Sequence, residues 1–307
     1  MNKEYIEYKE YMEDADEAKD EASIELTTDE DAPVQSQLKK NLNEDMKQFT
    51  AEEHEEGFVF LIYMYNSTIF EELEKKAPGS KGDIHIIRFI ILSVHMSCGG
   101  TLYDSNRHKI KKSSLKRIWA TSSRNSINET YDLLTECGYI YETEEGYLMI
   151  NEDIVIKGTI MHKMKELKKQ DEDYTCTRVY KDAVKKLYYD TEPKKRKQLA
   201  NLFKALPYIN YKYNVFCSNP TETDETKLEL LTWTDLAKLC GYDISQTARF
   251  KKDLWHLKIN DQCVIGHFET ESEKAIVVNP YIYYSGDNVD DIKGIQALFN
   301  LRNKKKK

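Results

Sequence analysis

Apolar residues recur at helical spacing in two widely separated stretches of the chain, and each stretch ends in a short alternating pattern typical of a hairpin. In the first, Ile87, Ile90, Ile91 and Val94 mark a helix over 84–97, capped by Asp83 and ended by Cys98-Gly99-Gly100. A short polar strand over 101–110 follows. Ser113 or Ser114 then caps a second helix carrying Leu115, Ile118 and Trp119, and residues 120–122 make a turn. Ser123 opens a third helix whose Ile127, Tyr131 and Leu134 fall at i, i+4 and i+7 and are expected to face inward. Cys137-Gly138 closes it, because glycine readily takes the left-handed conformation after a helix end. Residues 139–141 and 147–150 then alternate about Glu144-Glu145-Gly146, which predicts a hairpin.

The second stretch repeats this order. Residues 197–206 predict the first helix and 228–231 a short strand, and Thr232 caps a helix carrying Leu236 and Leu239. Ser245 is expected to cap the next helix, where Phe250, Leu254 and Leu257 stand 123 positions after Ile127, Tyr131 and Leu134. Residues 264–268 and 275–278 make a longer hairpin. Asn151 and Gly158 match Asn279 and Gly286 at an offset of 128, so the change from 123 is assigned to the hairpin loop, where insertions are tolerated.

Helix, turn, helix, hairpin is the order of a winged helix-turn-helix, and two copies predict a mainly α fold with small β-hairpins, of the α+β class. Residues 57–158 and 197–286 are the expected winged-helix domains, 159–196 a basic helical linker, and 287–307 a terminal helix with a basic tail. Ahead of the first domain, 57–65 reads as a strand and 67–76 as a helix capped by Asn66. Residues 77–82 read as a turn without the spacing of a phosphate loop. Residues 1–56 are expected to be an acidic, flexible or loosely helical tail, with Tyr5, Tyr8 and Met12 available to a partner and a short amphipathic helix over 35–49.

Charge sharpens this division. Of the net −8, residues 1–56 hold 19 acidic and 6 basic side chains, a balance of −13, so residues 57–307 sum to +5. An acidic protein overall is thus a mildly basic one outside its tail. The 40% hydrophobic and 32% charged fractions suit a polar globular chain. Neither a membrane span nor a secretory leader is expected, which points to the cytoplasm. The six cysteines include no Cys-x-x-Cys pair, which argues against a zinc site or disulfide framework. His95 and Cys98 share a helix face, but no second pair completes a ligand set, so core packing is the expectation. No catalytic constellation or cofactor motif stands out.

The candidate chemistry is therefore recognition of nucleic acid. In a helix-turn-helix the third helix enters the major groove, where polar side chains reach base edges and basic neighbours hold phosphates. In the first copy the outward residues are Ser123, Arg124, Asn125 and Asn128, and arginine and asparagine suit two-point contacts with guanine and adenine. Arg107, Lys109, Lys111, Lys112, Lys116 and Arg117 lie just upstream as candidate phosphate contacts. In the second copy Gln246, Thr247, Arg249, Lys251 and Lys252 are exposed, with His256 beyond them. The hairpin tips, 142–145 and 269–273, are acidic and would be repelled by phosphate, so the helices are expected to carry the contacts.

The segment Val277-Val278-Asn279-Pro280-Tyr281-Ile282-Tyr283-Tyr284-Ser285-Gly286 resembles the wing-terminal strand of winged-helix replication proteins of Firmicute plasmids and phages, the RepL type. The likeness covers roughly 231–286. The first copy has Glu152-Asp153 where the second has Pro280-Tyr281, and the acidic tail is not part of the pattern. What the resemblance implies is a phage- or plasmid-type protein that binds double-stranded DNA in a bacterial cytoplasm, acting in replication initiation or transcriptional control. The alternative is a protein-interaction module whose acidic tail and wings bind a basic host or phage partner, or screen the DNA site.

Overall fold

A computed structural model describes residues 56–64, 69–78, 80–157, 174–269, 274–284, 286 and 289–304. All but the last residue of the tail expected over 1–56, the cap at Asn66 and Gly158 lie outside them. The described residues form a mixed helical fold with small antiparallel sheets.

Strand β1 (Phe58–Met64) precedes helix α1 (Ile69–Lys76) and helix α2 (Ser80–Ser93). α2 begins three residues before Asp83, so Asp83 sits in its first turn and does not cap it. Bridges join Thr101 to Met149, Tyr103 to Lys109 and Lys111 to Tyr147, making a small hairpin where a single strand was expected. A 3-10 turn (Lys112–Ser114) leads into α3 (Leu115–Ile118), with the Ser114 hydroxyl accepting from the Lys111 N–H. Helix α4 (Arg124–Glu136) follows, and the expected hairpin forms from β2 (Ile140–Glu142) and β3 (Leu148–Ile150). Strand β4 (Val155–Ile156) then returns to pair with β1.

The segment read as a helical linker departs from that expectation. Its described part opens with strand β5 (Tyr174–Tyr180) and continues as helix α5 (Lys181–Asp190). β5 is rich in aromatic and β-branched residues and pairs antiparallel with β1 along all seven positions, centred on Leu61 and Thr177. Helix α6 (Leu199–Ala205), α7 (Trp233–Leu239), α8 (Thr247–Trp255), β6 (Lys258–Ile259), β7 (Gln262–Cys263), β8 (Ile265–Glu269), β9 (Lys274–Val278) and α9 (Val289–Lys304) complete the chain. The cap near α8 is Asp243, whose carboxylate accepts from the Ser245 N–H, so Ser245 is capped and does not cap.

The repeated unit is accordingly longer than the sequence pattern indicated. Strand, helix, helix, helix-turn-helix, hairpin and closing strand occur as β1, α1, α2, α3–α4, β2–β3, β4, and again as β5, α5, α6, α7–α8, β8–β9 and Tyr283. Val155 of β4 pairs with Leu61 of β1, and Tyr283, 128 positions after Val155, pairs with Val179 of β5. The two asparagines make the same hydrogen bonds. The Asn151 and Asn279 N–H groups donate to the Tyr139 and Val264 carbonyls at 3.0 and 2.8 Å. Their side-chain amides donate to the Gly138 and Cys263 carbonyls at 3.1 and 3.2 Å. Their side-chain oxygens accept from the Asp153 and Tyr281 N–H groups at 2.9 and 3.0 Å.

These pairings also relocate the insertion. The Tyr139 N–H donates to Leu134 and the Val264 N–H to Leu257, so the offset is 123 at the leucines and already 125 at Tyr139 and Val264. Two extra residues are absorbed by the β6–β7 hairpin, whose Asn260 and Asp261 have φ of 49° and 61°, the left-handed pair a tight hairpin requires. The remaining three, between offsets 125 and 128, lie in the β8–β9 loop.

Equivalent elements face each other. β1 and β5 pair antiparallel, and α2 packs on α6. The Lys204 ammonium, in the last turn of α6, contacts Asp83 at 2.8 Å in the first turn of α2, so these helices run in opposite senses too. Two copies related by an approximate two-fold rotation give this arrangement, as in a symmetric dimer, but within one chain. One continuous apolar cluster runs from Val59 through both repeats to Ile292.

Candidate nucleic-acid interface

The third helix of repeat one is positioned from below by a buried arginine. Arg88 is 4% exposed on α2, among buried isoleucine, leucine and phenylalanine together with His85 and Ser93. One guanidinium nitrogen donates to the Ser126 carbonyl at 2.6 Å, the Ser126 hydroxyl at 2.9 Å and the Thr130 hydroxyl at 2.7 Å. The guanidinium lies 5.3 Å over the Trp119 ring, and the indole N–H donates to the Arg88 carbonyl at 2.9 Å. Burial pushes its pKa down, though arginine has ample range to remain charged. This network selects which face of α4 turns inward. Ile127, Thr130 and Leu134 are buried, and Tyr131, expected to be inward, is half-buried on the flank.

Tyr131 instead links helix and hairpin. Its hydroxyl donates to Glu142 at 2.8 Å while the Lys112 ammonium lies 3.7 Å over its ring, and Lys112 also approaches Asp132 at 3.7 Å. Glu142, at the base of the acidic tip, is thereby engaged within the fold.

The outward face carries the residues expected there. Ser123 caps α4, its hydroxyl accepting from the Ser126 N–H, and Arg124 and Asn125 stand exposed in the first turn while Asn128 is half-buried. The upstream cations divide in two. Lys109 and Lys111 lie 5.1 and 4.6 Å over the Tyr147 ring, and Arg117 is paired with Asp104. Burial opposes ionisation of Asp104, but the His108 N–H, Arg117 and the Asn106 N–H together hold its pKa low. Arg107, Lys116 and Arg124 are exposed and make no ion pair among the described residues, so they are the freest cations here. Arg107 has a φ of 59° at the tip of the small hairpin. Ser113, Lys116, Arg117, Ala120, Thr121 and Ser122 line a shallow depression beside the start of α4.

The chain matches no known family model, no curated protein and no solved structure.

Repeat two builds the equivalent face differently. Gln246 and Arg249 are exposed but line a cleft shared with Glu74 and Asp83 of repeat one, and Arg249 approaches Asp253 at 4.0 Å. Thr247 is half-buried, Lys252 is exposed, and Lys251 lies over two tryptophan rings. The cations of this helix are therefore more engaged than those of repeat one. At the base of the cleft Lys204 bridges Asp83 at 2.8 Å and Glu74 at 3.1 Å; burial opposes its charge, but the two carboxylates raise its pKa above the usual lysine value.

Two features escaped the sequence reading. Arg88 was visible as a cation in the middle of an isoleucine-rich run, a break that signals a buried polar network. The cluster of Trp233, Trp255 and His267 draws on three elements whose proximity only the fold supplies. Among the described residues no group of acidic, histidine and cysteine side chains could hold a metal, and no helix is long and apolar enough to cross a membrane.

Proposed function

We propose that this protein binds double-stranded DNA sequence-specifically as a single-chain pseudo-dimer of two winged helices, with α4 of repeat one as the principal reader. The observation that carries the reading is the exposed first turn of α4, where Ser123 caps the helix, Arg124 and Asn125 stand in solvent and the uncommitted Lys116 lines the depression at the helix start. Arginine and asparagine supply the two-point donors and acceptors that distinguish guanine and adenine in the major groove. Lys109, Lys111, Lys112, Lys116 and Arg117 supply phosphate contacts on the approach to that helix. Gln246, Thr247, Arg249, Lys251 and Lys252 give repeat two a supporting role. The likeness of 277–286 to RepL-type replication proteins favours a phage or plasmid setting, in replication initiation or transcriptional control.

A titration of full-length protein on mixed duplex DNA at several salt concentrations tests this. Affinity should fall as salt rises, by about one unit of log–log slope per phosphate contact. Lys116→Ala should weaken binding to every sequence and flatten that slope by roughly one contact. Absence of binding at low salt, both for the full chain and for a version lacking residues 1–56, would end the proposal.

A further inference from the structure

Repeat two carries an aromatic surface at a corner that repeat one builds from polar residues. Trp233 opens α7, Trp255 ends α8 and His267 lies on β8, and all three are half-buried. The indole centroids are 6.2 Å apart, and the imidazole lies 6.4 and 6.5 Å from them. The Lys251 ammonium sits 5.4 and 5.8 Å over the two indoles.

The internal repeat acts as a control on what the fold demands here. Ala120 and Gly241 donate to Arg117 and Lys238 in matching turns, an offset of 121 that makes Lys112 the counterpart of Trp233. Across the third helix the offset of 123 pairs Asn128 with Lys251 and Asp132 with Trp255. Hairpin registers Ile140 with Ile150 and Ile265 with Val278 make Glu142 the counterpart of His267. In repeat one lysine, asparagine, aspartate and glutamate stand at these positions, with the Tyr131 ring between Lys112 and Glu142, so two tryptophans, a histidine and a lysine are not the set the fold demands at this corner, although Trp233 also packs against the core. The third tryptophan, Trp119, is 1% exposed and belongs to the core.

We infer that this corner binds single-stranded nucleic acid, with bases stacking on Trp233 and Trp255 and Lys251 released from the rings to a phosphate. Aromatic faces accept any base, and adjacent cations track the backbone, which is the usual chemistry of sequence-tolerant single-strand binding. Exposed Lys252 and Lys258 stand three residues to either side of Trp255 and add positive charge there, against the exposed Asp261 of the β6–β7 turn. Repeat one has no tryptophan at this corner, and its Tyr131 is tied to Glu142 and covered by Lys112, so the two halves would divide duplex reading from capture of an unpaired strand.

Oligothymidylate, which has no duplex form of its own, is the probe. Added to the full chain at low salt it should quench tryptophan emission, since two of the three indoles lie at the site and Trp119 does not. Trp233→Lys with Trp255→Asp installs the residues repeat one carries; it should remove the quenching and weaken binding by roughly 5- to 150-fold per ring. Lys251→Gln keeps both rings and should preserve quenching while lowering the salt dependence of affinity. Arg124→Ala with Asn125→Ala should leave oligothymidylate binding unchanged, so failure of the duplex reading is separable from failure here. Unquenched emission, or affinity unaltered in the double tryptophan variant, overturns the inference, and quenching by a basic peptide in place of the oligonucleotide would assign the corner to a protein partner.

Discussion

Repeat one and repeat two share their order of elements, their closing asparagine and their antiparallel contacts, yet they differ in what lies beneath and beside the third helix. In repeat one a buried cation, Arg88, is held by Ser126 and Thr130 of α4, leaving Arg124 and Asn125 in solvent. In repeat two the counterpart of Arg88 is Asn201, fixed by analogy of the Trp119-to-Arg88 and Cys240-to-Asn201 contacts, and its side-chain oxygen accepts from the Tyr242 hydroxyl at 3.0 Å. The counterparts of Ser126 and Thr130 are then Arg249 and Asp253, which approach each other at the cleft between the repeats. A duplicated scaffold has kept its geometry while one third helix remains open to solvent and the other is partly committed to its sister repeat.

The largest expected effect breaks the joint between the repeats. Lys204 is 7% exposed and neutralises Asp83 and Glu74 across it. Lys204→Ala leaves two carboxylates facing each other and should cost about 3–5 kcal/mol in urea unfolding. A loss below about 1 kcal/mol would mean that the joint does not depend on this triad.

The closing asparagines test whether the repeats are equivalent. Asn151→Ala and Asn279→Ala each remove the same amide and carbonyl contacts, so both should destabilise by about 1–3 kcal/mol. Asn279 is fully buried and also donates to Gln262 at 3.1 Å, so its loss should be the larger. The reverse order by thermal or urea unfolding would contradict the matched geometry.

The smallest effect concerns the turn between second and third helices. Gly241 has φ of 81°, and repeat one places Ala120 there with φ of 44°. A side chain in the left-handed region costs roughly 1–2 kcal/mol, part of which is offset by the entropy glycine loses on folding. Ala120→Gly should therefore stabilise by about 0.5 kcal/mol and Gly241→Ala destabilise by about 1 kcal/mol. Equal and opposite shifts of the melting temperature would show that the two turns are strained alike.

Much of the repeat was readable from periodicity, because second helix, third helix and hairpin are local and each buries one apolar stripe. The first strand was readable in repeat one, over 57–65, but not in repeat two. Tyr174–Tyr180 finds its partner in Phe58–Met64, over a hundred positions earlier, and nothing in either strand names the other. Tyr131 was misplaced for a different reason: hydrophobic spacing favoured it over Thr130, but buried Arg88 needs hydroxyl acceptors, and satisfying that charge outweighs burying a ring. The Asn260-Asp261 turn carried a hairpin signal that would have placed two of the inserted residues correctly. Among the candidate contacts, Arg124 and Asn125 stand where helix periodicity put them, whereas the pairing of Arg117 with Asp104 and the stacking of Lys251 on tryptophans depend on contacts between elements.

Selection of preferred sequences from random duplex DNA, by the unaltered chain and by two double variants, tests the division of labour most directly. Arg124→Ala with Asn125→Ala should erase most of the preference, at about 1–3 kcal/mol per lost two-point contact, whereas Gln246→Ala with Arg249→Ala should narrow it only slightly. Retention of the full preference by the first variant, or its loss only in the second, would contradict the account.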